Sequence, residues 1–252
     1  MIIMLGGQAR VGKTTLAKWL SEFAYNAGYT PVMLPFAGAL KEEAEKRGYS
    51  KDSNPEEYRA FCQTLGSEMR DQDEDFCVKK FREKVKELYA HEQENLQKDP
   101  DTWHEKVIIV DDCRYMNEVA AARDLQALTI FITPGDRMLI DHGAEWRTHE
   151  SEDMANRITN NEKDFDNIFH YHLRNDKSLK DFKDKCSGKF DEWFSVLSEG
   201  LVEKMCSCEL CMSSREDREP DAEALFKDIM EMMMNPNEDD NNGKRKTKPS
   251  DS

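Results

Sequence analysis

Four residues near the start of the chain have the types and spacing to hold a polyphosphate: Gly7, then four residues, then Gly12, Lys13 and Thr14. Glycines let the backbone fold back so that successive amide N–H groups converge on an anion, and the positive end of a following helix adds to the field. The Lys13 ammonium has the reach to meet the outer phosphates, and the Thr14 hydroxyl is a ligand for Mg²⁺. Arg10, Val11 and Thr15 complete the wrapping segment. The pattern carries this meaning only between a strand and a helix. Here the apolar run Met1 to Leu5 precedes it, and Leu16, Trp19, Leu20 and Phe23 recur at helical spacing until Gly28.

Chemistry on a bound polyphosphate needs a carboxylate for the cation and positive charge around the transferred group. The run VIIVDD, Val107 to Asp112, has the continuous apolar character of a strand buried on both faces of a parallel sheet. The carboxyl end of such a strand opens into the ligand crevice, so Asp111 and Asp112 are both candidates. Asp112 is assigned the catalytic and Mg²⁺-holding role, with capping of the next helix as its alternative. Arg114 follows two residues on, and its planar five-donor head suits a phosphate. Arg137 and Arg147 lie in a polar stretch, 136–160, expected to act as a lid whose arginines close over the phosphates. Cys206, Cys208 and Cys211 have the look of half a zinc site, but Cys186, His170 and His172 offer no familiar spacing to complete it.

The elements that must position these groups follow from the pattern. Short apolar runs at Pro31 to Leu34, Val107 to Asp112, Leu128 to Thr133 and Asn167 to Leu173 join the first strand, with helical periodicity between them. The expected fold is α/β, a P-loop doubly wound parallel sheet of five strands. Residues 1–200 form the domain, with a helical insertion over 36–105 that breaks near Gly66 to Asp73. Residues 201–252 form a Cys- and Met-rich tail, largely disordered, with a Met-rich amphipathic helix at Asp221 to Met234.

The net charge is −15, and the segment from Asn235 is neutral, so the acidity belongs to the folded body. That balance argues against a protein whose main business is gripping long nucleic acid. Seven cysteines without a leading secretory pattern indicate free thiols in a reducing cytoplasm, and no apolar run is long enough to span a membrane.

The segments GQARVGKTT, FAGALKEEA, YRAFCQTLGSEMRDQDEDFCVKKF, VIIVDDCRYMNEVAAAR, THESEDMAN and LRNDKSLKDF occur in this order over about residues 1–185. In them the chain resembles the phage deoxynucleoside monophosphate kinases, within the P-loop nucleoside monophosphate kinase group. The resemblance implies that Gly7, Gly12, Lys13 and Thr14 bind the phosphates of ATP with Mg²⁺. It implies that Phe36, Ala37, Gly38 and Lys41 open an acceptor pocket lined by Arg59, Gln63 and Gly66, with Arg59 facing the acceptor phosphate. Asp112, Arg114 and Glu118 match the acid, arginine and glutamate after the third strand, and Asn175 begins the loop against adenine. Cys77 departs from the pattern, which has an aromatic there, and nothing in it accounts for residues after Gly200.

The acceptor is then a deoxynucleoside monophosphate. Two other readings stay open: a P-loop kinase acting on the hydroxymethyl group of a modified pyrimidine in phage DNA, with Asp112 or Asp111 as base, and a nucleotide-dependent switch or assembly factor. A second copy of the chain and a protein recruited by the tail are its open partners, and a membrane is not one.

Overall fold

The computed structural model describes residues 1–99, 104–135, 150–160, 168–200 and 202. Strands β1 (Ile2–Gly7), β2 (Thr30–Met33), β3 (Lys106–Cys113), β4 (Leu128–Pro134) and β5 (Tyr171–Asn175) form one sheet in the order β2-β3-β1-β4-β5. Every neighbouring pair is parallel. The described helices are α1 (Lys13–Asn26), α2 (Gly38–Lys46), α3 (Pro55–Gln72), α4 (Phe76–Lys98), α5 (Met116–Asp124), α6 (Asp153–Asn160) and α7 (Leu179–Ser198). This is the expected doubly wound α/β sheet, with α2, α3 and α4 as its helical insertion. Among the described residues no helix is long and apolar enough to cross a membrane.

Successive strand residues point to opposite faces, and the two core layers sort by that parity. Ile3, Leu5, Val107 and Ile109 face a layer holding Leu16 and Leu20 of α1 and Phe182 and Trp193 of α7. Ile2, Met4, Ile108 and Val110 face the other layer, with Phe36, Phe81 and Val119. Each large aliphatic buried in this way contributes about 1.5–3 kcal/mol, which is why the all-apolar strands sit at the centre.

Several boundaries differ from the sequence expectation. The long helical stretch breaks at residues 73–75, and Gly66 is buried inside α3. A Cβ on Gly66 would lie 3.2 Å from Leu40 of α2 and from the Arg70 guanidinium, so the glycine serves close approach rather than a break. α3 begins at Pro55, whose missing N–H costs nothing there, with Asn54 accepting from the Glu57 amide. β5 starts later than expected, at Tyr171, and His170 just before it holds β4: its ring nitrogen accepts from the Thr129 amide at 3.0 Å. His172 pairs similarly with the Thr133 hydroxyl at 2.7 Å. The end of the expected lid is part of the body, since Met154, Ala155 and Ile158 of α6 are buried in the second layer. Arg137, Arg147, Cys206, Cys208, Cys211 and the Met-rich tail helix lie outside the described residues. The four described cysteines, Cys62, Cys77, Cys113 and Cys186, are free thiols.

Candidate functional site

After β2 the chain returns through the helical insertion to β3, beside β1, and then crosses to β4 on the other side. The order reverses at β1, so the loops after β1, β3 and β4 share one crevice at the carboxyl ends of the strands. The loop from Gly7 to Thr14 lies there. Three of its residues have positive φ: Gly7 at 132°, Arg10 at 66° and Gly12 at 106°. At Gly7 a Cβ would also collide with the Ile132 carbonyl oxygen. Gly12 sits at the start of α1, its carbonyl accepting the Leu16 amide at 2.9 Å. Val11 is buried, and its carbonyl accepts from the Asn175 amide group at 3.0 Å, which ties the loop to the end of β5. Arg10 and Thr14 are exposed, and Thr15 is half-buried.

Lys13 is 7% exposed and folds back over the loop, its ammonium donating to the carbonyls of Gly7 at 2.6 Å and Gln8 at 2.7 Å. Burial, then the Arg114 guanidinium, lower its pKa to about 8, against the pull of Glu152, Asp111 and Asp112. A buried ammonium resting on neutral carbonyls is undersupplied with negative charge.

The two acids at the end of β3 part company, as strand parity requires. Asp111 turns to the α1 face, where its carboxylate accepts the Thr14 hydroxyl at 2.7 Å. Asp112 turns to the face of the helical insertion. It accepts from the amides of Phe36 at 2.8 Å and Ala37 at 3.3 Å, and from the Lys41 ammonium at 2.9 Å. Thr14 and Asp112, the pair expected to hold Mg²⁺, are therefore not brought together; Thr14 and Asp111 are. Those two oxygens fit a hard cation, which Mg²⁺ sites typically bind through one or two carboxylates plus substrate phosphates rather than an all-protein cage.

Arg114 is held by Glu152 through a short ion pair and by the Ser151 hydroxyl at 3.4 Å. Glu152 is 3% exposed, and its other oxygen accepts the Ala9 amide of the phosphate loop at 2.7 Å. Gln8 donates to Asn156 at 2.8 Å, so the segment starting at Glu150 braces the loop twice. Glu118 is buried and accepts the amides of Arg114 at 2.7 Å and Tyr115 at 3.1 Å, capping α5. Burial, then the Asp112 charge, push its carboxyl up to about 8.

No protein-family model and no curated protein sequence matches the chain. Among solved structures it is similar to a dephospho-CoA kinase from Campylobacter jejuni, at 14% identity and a TM-score of 0.42, over 79% of this chain and 98% of that one.

The residues expected to line an acceptor pocket divide. Ala37 and Lys41 hold Asp112 at the start of α2, and they and Gly38 are half-buried. Phe36 is instead core, packed on Phe81 with ring centroids 4.3 Å apart. Gln63 is half-buried on α3 and Arg59 is exposed. Arg70, which sequence reasoning passed over, is the arginine of α3 that reaches β3–α5. Its guanidinium lies 4.3 Å from the centroid of the Tyr115 ring and pairs with Glu150 at 2.9 Å. Within the segment THESEDMAN, Glu150 and Glu152 carry no local signal of their roles. Their partners lie far away in sequence, Ala9 and Glu152 being 143 positions apart.

Proposed function

We propose that the chain is a Mg²⁺- and ATP-dependent kinase that transfers the γ-phosphoryl group to the phosphate of a deoxynucleoside monophosphate. The observation that carries this reading is the division of labour at the end of β3: Asp111 is bound to the phosphate loop through Thr14, and Asp112 to the helical insertion through Phe36, Ala37 and Lys41. One strand end thus ties together a triphosphate site and a second, helix-lined region, the arrangement a two-substrate transfer needs.

In this reading the amides of the loop and the Lys13 ammonium hold the donor phosphates, and Lys13 leaves the Gly7 and Gln8 carbonyls for them. Thr14 and Asp111 would hold Mg²⁺, which when bound would draw off the negative charge that develops on the transferred group. Arg114, fixed by Glu152, points its guanidinium beside the loop. The acceptor oxygen is already anionic, so no general base is required; alignment and positive charge suffice. Glu118, largely protonated at neutral pH, adds little repulsion next to an anionic acceptor.

The test is direct. Purified protein with ATP, Mg²⁺ and each deoxynucleoside monophosphate should yield ADP and the diphosphate with at least one of them, and Lys13→Ala should lower the rate by about 10²–10³-fold. Hydroxymethylated duplex DNA is the competing acceptor. Turnover with the duplex alone, or with no acceptor at all, contradicts the reading.

A further inference from the structure

Three donors from three places in the chain converge on a single oxygen of Glu150. The Ser67 hydroxyl donates to Oε1 at 3.1 Å, Arg70 Nη2 at 2.9 Å and the Tyr115 hydroxyl at 3.3 Å. The donors are held in place: Arg70 is 16% exposed, with its guanidinium over the Tyr115 ring. The acceptor of these bonds is not, for the Glu150 side chain is 52% exposed. One carboxylate oxygen has two lone pairs, so three donors oversupply it. A phosphate monoester brings three terminal oxygens and more charge to the same donors, and a planar guanidinium favours that partner. Two residues on, Glu152 is buried against Arg114 and the Ala9 amide of the phosphate loop. The segment Glu150–Glu152 therefore carries one fixed carboxylate on the donor side and one displaceable carboxylate beside it.

We propose that Ser67, Arg70 and Tyr115 form an oxyanion site for the phosphate monoester of the acceptor, and that Glu150 is an internal competitor filling this site in the free protein. Only the identity of the ligand rests on the kinase reading; the site itself rests on the donor geometry. Binding of the acceptor exchanges the Glu150 carboxylate for phosphate oxygens and releases Glu150 to solvent. A half-exposed ion pair is weak, so the competitor is easily displaced.

The experiment is calorimetric titration of the full chain with inorganic phosphate and, separately, with each deoxynucleoside monophosphate. The phosphate loop is first saturated with Mg²⁺ and a non-hydrolysable ATP analogue. Glu150→Ala should bind both probes about two- to fivefold more tightly than the wild type. Arg70→Lys should weaken both by about tenfold, and Ser67→Ala, at a partly exposed position that threatens the fold less, should weaken both by about two- to fivefold. Unchanged or weaker binding by Glu150→Ala overturns the proposal. So does loss of phosphate binding once the analogue is present, which would put the ion in the phosphate loop, or tightening for the nucleotide without tightening for inorganic phosphate. If these binding effects stand while no monophosphate is turned over, the kinase reading fails and the oxyanion site survives.

Discussion

α1 sets Leu16, Ala17, Leu20 and Ala24 against the sheet with no exposure, whereas α3, 18 residues long, buries only Gly66. The two helices flank the same crevice and are attached to it in different ways. The phosphate loop grows out of β1, buried at every position, and is cross-linked to β5 by Asn175 and to the Glu150–Asn160 segment through Ala9 and Gln8. The helical insertion is fastened at its two ends to β3: Asp112 holds its start, and Glu92 of α4 accepts the Lys106 amide at 2.8 Å. Between those points α3 packs mainly on α2 and α4 and carries mostly exposed charge. The phosphate loop cannot shift without disturbing the core. Within the insertion α4 is held in the core by Val78, Phe81 and Val85, so it is α3 that can shift by loosening a few polar ties.

The sharpest break in that contrast is expected from glycine substitutions on the two sides. Gly7→Ala puts a Cβ into the Ile132 carbonyl at a φ of 132°, and backbone has nowhere to go. It should cost about 3 kcal/mol or more, read as a lowered urea midpoint; a change below about 1 kcal/mol would mean the loop is not rigid.

An intermediate effect comes from Glu118, which caps α5 between the two regions. Its carboxyl is pushed up to about 8 in the folded protein by burial and Asp112, against an ordinary value of about 4.3. The folded state therefore binds the extra proton between those values. The stability this contributes is present in full below about pH 4.3 and is lost as pH rises through about 8. Glu118→Gln removes this dependence, so the unfolding free energy of the wild type relative to the variant should fall from pH 5 to about pH 8 and level off above it in urea titrations. A difference independent of pH would show that Glu118 is charged throughout.

The smallest effect is expected at Gly66→Ala. Helix propensity gains about 0.5–1 kcal/mol, offset by contacts at 3.2 Å to the tips of Arg70 and Leu40, both able to give. Thermal unfolding should place the net change within about 1 kcal/mol of zero, and a loss as large as that at Gly7 would make the insertion as rigid as the loop.

The same contrast explains what could be read from the amino-acid sequence. The loop, its strand and its helix are contiguous, and their glycines, lysine and apolar spacing carry their own meaning, so the fold class and the placement of the loop between β1 and α1 were legible. Asp111 and Asp112 were expected in one crevice, but adjacent strand residues face opposite ways, and which of the two meets α1 depends on the crossover of the whole chain. Arg59 and Arg70 are three helical turns apart on one face of α3, about 16 Å along its axis, and only packing decides which end reaches β3. Glu150 and Glu152 act on residues scattered through the chain, so no local pattern announces them.

The division of the two acids is the centre of this account, and steady-state kinetics of Asp111→Asn and Asp112→Asn, with Mg²⁺ and acceptor varied independently, tests it most directly. Asp111→Asn should lower kcat and raise the Mg²⁺ requirement while leaving the acceptor KM near its wild-type value. Asp112→Asn, freeing the start of the insertion and Lys41, should raise the acceptor KM with little change in Mg²⁺ dependence. The same profile for both variants, or the two profiles exchanged, would contradict it.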